Sequence, residues 1–246
     1  MTPLHLSHKV VEIWYALTES INDPALLSAY RQLMSADERL REKRFRFEKD
    51  RHTYVVTRAL IRTVLSKYCS AAPDSWQFEQ NLYGRPELLR KSNAPPIRFN
   101  LSHTSGVVAC ILALERDVGI DVEELTRKTD TIELADRFFS SDEVAALRSL
   151  KREDQAERFF SYWTLKESYI KAIGTGLSMP LDSFSFHLKQ GYPARISFGP
   201  EIEDDPSTWQ FAQFRLTSHY ILAASVRRGR EPDLSVELRR TVPLED

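Results

Sequence analysis

The stretch FFSYWTLKESYIKA, residues 159–172, sets a glutamate among apolar neighbours. At about 100° per residue, Ala156, Phe159, Phe160 and Ile170 lie within roughly 60° of Trp163 on a helical wheel, and Glu167 lies at about 40°. Lys166 and Lys171 fall near the two edges of that arc. One reading is a Glu167–Lys171 surface pair at i,i+4, worth about 0.2–0.5 kcal/mol. The other is a carboxylate aimed inward, which needs a positive partner because an unpaired charge is poorly tolerated on an apolar face. A second stretch, GIDVE at 119–123, adds two carboxylates. On a strand, Asp121 and Glu123 project from one face and Ile120 and Val122 from the other. About 7 Å apart, they repel each other unless solvated or met by a cation. With Glu167 they form an all-oxygen set that suits magnesium, manganese or calcium better than zinc, of the kind that holds Mg²⁺ beside a substrate phosphate.

Three further motifs each have a chemical and a structural reading. In NLSHT, 100–104, Ser102 and His103 can bind phosphate oxygens, or cap a turn and hydrogen-bond within the fold. RLREKRFRFEKDR, 39–51, carries seven basic and three acidic residues. It reads as a solvated helix face from which a few arginines could grip a phosphate, and its interspersed acids argue against a nucleic-acid stripe. In SSDE, Ser140 and Glu143 have the spacing of a helix capping box, which would occupy that carboxylate with backbone amides.

These residues need elements to hold them. Alternation and apolar content predict a strand at Val10–Leu17, and Asn22-Asp23-Pro24 marks a turn and helix start. Val55, Leu60, Ile61, Val64 and Leu65 stripe a helix over Arg51–Tyr68. Breakers between 73 and 96 predict loop with short extended pieces. Val107–Leu114, apolar throughout, reads as a strand covered on both faces, and VGIDVEEL follows it as a hairpin partner or neighbour. Helices are predicted at Ser141–Leu150 and Gln155–Ile173, the latter stopped by Gly174. Strands are predicted near 183–188, 194–198, 210–216 and 220–226. The mixed order of elements predicts an α+β class, divided near the end of the apolar strand into 1–116 and 117–246.

Composition bounds the partners. Thirty-four basic against 35 acidic residues give a formal net charge of -1, so no global field recommends nucleic acid or anionic lipid. With 42% hydrophobic and 28% charged residues, the 246-residue chain is long enough to bury a core without staples. Two separated cysteines, Cys69 and Cys110, and the lack of a long apolar run lead to the expectation of a cytoplasmic protein without export signal or anchor.

Taken together and in order, YGRP (83–86), NLSHT (100–104), GIDVE (119–123), RFFSSDE (137–143), WTLKESYIKA (163–172) and GLSMPLDSFSF (176–186) resemble the Sfp-type family of 4'-phosphopantetheinyl transferases. The spaced pair GIDVE and WTLKESYIKA is the specific part. The resemblance implies a pseudo-dimer of two similar α/β halves, acting as a monomer, with coenzyme A in the cleft between them. It implies Mg²⁺ on Asp121, Glu123 and Glu167, Lys166 and Lys171 near the phosphates, and Arg85, Ser102 and His103 at the nucleotide. Arg41 matches a basic position near the 3'-phosphate, and the next such position falls at Arg51 or Thr53. Glu143 matches a family acidic position, and the resemblance implies a part in catalysis for it alongside Glu167, Lys166 and Lys171. Glu38 departs from the pattern, standing where some members carry a lysine.

The reaction so implied moves phosphopantetheine from coenzyme A to a serine of an apo acyl or peptidyl carrier protein. Glu167, or a water it orients, is the candidate base, and the segment from Leu125 to Phe139 is the candidate carrier-docking surface. A Mg²⁺-dependent hydrolase of coenzyme A-like nucleotide diphosphates and a non-catalytic coenzyme A-binding module are the rival readings.

Overall fold

Val10–Leu17 forms strand β1, buried along most of its length, in the first of two compact units, Met1–Glu115 with Ser235–Asp246. The computed structural model describes residues 4–82, 84–89, 95–127, 129–174, 176 and 179–245. Helix α1 (Pro24–Leu33) starts where expected, with Pro24 in its first turn and the Asp23 side chain accepting from Ala25 N. Helix α2 (Ala36–Glu42) carries a capping box between Ser35 and Glu38. Helix α3 (Glu48–Tyr68) buries Val55, Leu60, Ile61, Val64 and Leu65 against Trp14, Val108, Cys110 and Leu112 of the sheet. The short pair β2 (Phe78–Gln80) and β3 (Pro86–Leu88) leads to β4 (Ile97–Thr104) and β5 (Val107–Leu114). Part of that connection, with Tyr83 of the YGRP motif, lies outside the described residues.

The second unit, Arg116–Leu234, begins with β6 (Val118–Glu124). The expectation of a hairpin or neighbouring pair with β5 fails for a simple reason. Both edges of β5 are already taken, by β1 and β4, so β6 pairs instead with β10 (Tyr220–Arg227). Helices α4 (Thr131–Phe138), α5 (Ser141–Arg148) and α6 (Arg152–Ile173), the hairpin β7 (Phe184–His187) with β8 (Arg195–Phe198), and β9 (Trp209–Arg215) complete it. The sheet order is β6-β10-β9, all antiparallel. Gly174, at φ 76°, ends α6 in the left-handed conformation that favours glycine. The class is α+β.

The last strand, β11 (Ser235–Arg240), returns to the first unit, whereas a single division at 116/117 assigns it to the second. It runs parallel to β1 at the edge of the order β11-β1-β5-β4. Arg239 Nε reaches the buried Glu12 at 2.9 Å, and Tyr30 donates to Pro243 O at 2.8 Å. Half-exposed SVELRR has too weak an apolar alternation to announce a strand. No helix among the described residues is long and apolar enough to cross a membrane.

The second core closes around Tyr169 of α6, whose ring meets Phe184 at 5.1 Å and Trp209 at 4.9 Å. Its hydroxyl donates to Asp204, which also accepts from Trp209 Nε1 and from two nitrogens of Arg227. Burial pushes the Asp204 carboxyl up, but the bonds from Arg227, Tyr169 and Trp209 outweigh it and hold the pKa below its ordinary 3.8. A lowered carboxylate pKa contributes stability that is present above the unfolded value and lost as pH falls through the folded one. Asp204→Asn should therefore cost about 1–3 kcal/mol at pH 7. The gap from wild type, measured by urea unfolding, should narrow below about pH 4. A gap independent of pH would show that charge plays no part.

Candidate active site

Gly119 lets α6 approach β6. A Cβ there would lie 2.0 Å from Ser168 O and 2.5 Å from Ala172 N, so the helix backbone rests directly on the strand. The buried hydroxyls of Ser168 and Ser225 meet at 2.7 Å and bind the same helix to β10. Strand alternation sets Asp121 and Glu123 on the face of Gly119. Helical spacing sets Glu167 and Lys171 one residue before Ser168 and Ala172. Lys171 Nζ accordingly reaches Asp121 Oδ1 at 2.6 Å, with the two side chains 28% and 7% exposed.

The acids also act on one another electrostatically. Burial, then the charge of Asp121, pushes Glu123 up to about 7, with Glu167 adding to the rise and Arg127 and Lys171 opposing it. Burial, then Asp121, also pushes Glu167 up, against Lys171. Asp121 thus raises the pKa of both glutamates, and the three carboxylates make a locally negative site. A further cation, Arg127 Nη1, lies 3.6 Å from Glu123 Oε2, beyond good hydrogen-bond length. The hard oxygen donors fit Mg²⁺ by type. Among the described residues, no three Asp, Glu, His or Cys are placed so that they could together hold a metal ion, and the contact at Asp121 Oδ1 is Lys171.

Lys166 and Glu143 lie in the interior of the second unit. Both are buried, at 0% and 1% exposure, and lie 2.7 Å apart. Lys166 Nζ also donates to Leu181 O and Phe184 O, and its charge sits 4.3 Å from the Phe184 ring centre. Glu143 closes the expected capping box with Ser140 and accepts from Phe186 N at 2.8 Å. The pair ties α5 and α6 to β7, and Glu143, Leu181 O and Phe184 O take up the three donors of Lys166. The wheel centred on Trp163 misjudged this neighbourhood: Lys166 is wholly buried and Glu167 half-buried, because α6 is covered on several sides.

In the first unit, Arg41 of α2 and His103 of β4 line one cavity of about 950 Å³. Ser102 is buried on the alternate face of β4 from exposed His103. Arg85 turns inward, buried, with Nη2 donating to Phe99 O at 3.1 Å. Arg51 lines a different hollow and is held by Glu48 at 2.6 Å and by Phe45 O. Sequence reasoning gave no role to Gly119, although a glycine inside a strand signals close backbone approach. It also passed over Arg58 and Arg62, which carry no motif.

Comparison with known proteins bears on what such a site serves. Residues 117–225 match the family described as the 4'-phosphopantetheinyl transferase superfamily, and residues 23–115 match 4'-phosphopantetheinyl transferase, N-terminal. The 4'-phosphopantetheinyl transferase Sfp of Bacillus subtilis (strain 168) is 31% identical over 204 residues, 83% of this chain and 87% of that protein. The chain belongs to the 4'-phosphopantetheinyl transferase superfamily. Another member, 4'-phosphopantetheinyl transferase HetI of Nostoc sp., is 35% identical over 167 residues, covering 68% of this chain and 70% of the relative. A solved holo-(acyl-carrier-protein) synthase from Bacillus anthracis str. Ames, in complex with CoA, is 20% identical and covers 45% of this chain and 93% of its own, with a TM-score of 0.37. Asp121, Glu123, Glu143, Lys166, Glu167 and Lys171 all fall inside the superfamily match of this family member.

Proposed function

We propose that the chain transfers the 4'-phosphopantetheine group of coenzyme A to a serine hydroxyl of an apo acyl or peptidyl carrier protein, releasing adenosine 3',5'-bisphosphate. The observation that carries this reading is the gathering of Asp121, Glu123, Glu167 and Lys171 in a superfamily member. Asp121, Glu123 and Glu167 are the groups assigned to hold Mg²⁺. When bound, that ion supplies positive charge for the coenzyme's diphosphate.

The serine oxygen forms a bond to the phosphorus bearing pantetheine, and the bond from that phosphorus to the bridging oxygen breaks. The leaving nucleotide keeps the electron pair. Negative charge gathers on the transferred phosphoryl and the leaving group, so the protein's share is positioning and cationic stabilisation. Lys171 is the lysine assigned to that charge. Glu167 is assigned to take the serine proton, being on the helix face that meets β6. Arg41 and His103 are assigned to the nucleotide end. Carrier docking is assigned to the segment that follows β6, where Leu125, Ile132, Leu134 and Phe138 are half-buried.

The test is intact-protein mass measurement of an apo carrier after incubation with the chain, coenzyme A and Mg²⁺. A gain of one phosphopantetheine is expected, and chelation should abolish it. Glu167→Gln should slow transfer by about 10²–10⁴-fold. Free phosphopantetheine with no gain on the carrier would establish a hydrolase instead. Coenzyme A binding without either product, unaltered in Glu167→Gln, would establish a binding module.

A further inference from the structure

Strand β11 ends the sheet of the first unit, in the order β11-β1-β5-β4. Its register with β1 runs from Val10 opposite Ser235 to Tyr15 opposite Arg240, with Ser235 N donating to Lys9 O and Thr241 N to Tyr15 O. In a parallel ladder, alternate residues turn their main-chain groups to the neighbouring strand. Ser235, Glu237 and Arg239 therefore turn theirs to β1, and Val236, Leu238 and Arg240 turn their N–H and C=O groups outward. Among the described residues no strand takes up that outer edge.

The side chains along the edge are open as well. Val236 and Leu238 are half-buried, and the other four residues of β11 are exposed. Glu237 and Arg239, with side chains 48% and 44% exposed, meet each other only at 3.9 Å, beyond hydrogen-bond length. Arg239 is anchored through Nε to the buried Glu12 at 2.9 Å, which holds its guanidinium beside the edge.

Charges on an edge strand usually guard it against pairing. The order Val-Glu-Leu-Arg-Arg does the opposite for a strand that meets its own copy. With two copies antiparallel about a two-fold axis at Leu238, Leu238 faces Leu238 of the second copy and Val236 faces Arg240. These fall at hydrogen-bonded positions, where opposed residues exchange both main-chain bonds, and they are the residues whose groups point outward. Glu237 faces Arg239 of the second copy at the intervening positions, where Cβ atoms are about 4.5–5.5 Å apart, and the symmetry forms that ion pair twice. An axis at Glu237 or at Arg239 would instead set like charges face to face and bring inward-turned groups to the bonded positions.

We infer that the β11 edge is a self-complementary interface through which two copies of this chain pair, joining their first-unit sheets into one. The pairing differs from the single-copy state that the family resemblance implies, and it is independent of the reaction proposed above.

One strand pair buries little area, so light scattering of the full chain from about 10 μM to about 1 mM should show the mass rising from one chain toward two. Glu237→Arg sets like charges opposite each other at both ends and should weaken pairing by about 10-fold, while the urea midpoint of this exposed-site variant stays at the wild-type value. In a Cys69→Ser background, Leu238→Cys should form a disulfide-linked dimer in oxidised glutathione, because Cα atoms of a bonded pair lie about 5.5 Å apart. Val236→Cys should not, since the two copies of that position lie about 14 Å apart in this register. Pairing untouched by Glu237→Arg, or disulfide dimers at neither position or equally at both, overturns the inference. A mass fixed at one chain throughout also overturns it, and would mean that the edge charges keep other strands away or serve a different protein's strand.

Discussion

Gly119→Ala is expected to abolish carrier modification and to lower stability by about 3 kcal/mol or more, beyond most overpacked sites. Its Cβ would meet Ser168 O at 2.0 Å, Ala172 N at 2.5 Å and Ala172 Cα at 3.0 Å. All three are backbone atoms, so no side-chain rotation relieves the overlap and α6 must move away from β6 as a body. Glu167 and Lys171 travel with the helix, while Asp121 and Glu123 stay on the strand. A misplacement of about 1 Å at reacting groups costs about 10²-fold in rate, so activity should fall even in whatever fraction stays folded. Urea midpoints and the carrier mass assay on the same preparation measure both effects. Wild-type stability and transfer in Gly119→Ala would show that β6 and α6 do not need this contact.

The second large effect is expected at Lys166. Lys166→Met leaves the buried Glu143 carboxylate without its cation, a loss worth about 3–5 kcal/mol. Burial pushes the Lys166 pKa down and Glu143 pushes it back up, and two backbone carbonyls accept from its ammonium. Adding Glu143→Gln removes the stranded charge while keeping an acceptor for Phe186 N. The double variant should be more stable than Lys166→Met alone by about 1–3 kcal/mol. Denaturant unfolding of the three proteins decides it. A Lys166→Met protein with full stability but lost transfer would return Lys166 to the phosphates, where the motif match had put it.

Much of the site could be read locally. GIDVE alternates on β6 as a two-residue period requires, and Gly174 ends α6 in the left-handed conformation. Ser140 and Glu143 form the capping box that their spacing announced. The apolar run of β5 is buried on both faces. Each depends on residues a few positions apart, where backbone geometry and turn chemistry leave little choice. The position of Lys166 could not be read in that way. A wheel gives each residue an angle, but not the number of sides on which other elements will cover the helix, so it pointed to Glu167 and missed the deeper burial of its neighbour.

By itself, then, the order of residues determined where the long helices α3 and α6 end and where the main strands lie, though both helices begin three residues earlier than their apolar stripes announced, and it determined the three carboxylates with their likeness to the transferase family. Only the tertiary structure decided that β6 leaves β5 for β10, that β11 returns to β1, and that Glu38 meets Arg62 at 2.7 Å and Arg58 at 3.5 Å. Those outcomes turn on which edges and faces are still open when distant segments meet. Pairing of that kind is set by competition across the whole chain, and no local period records it.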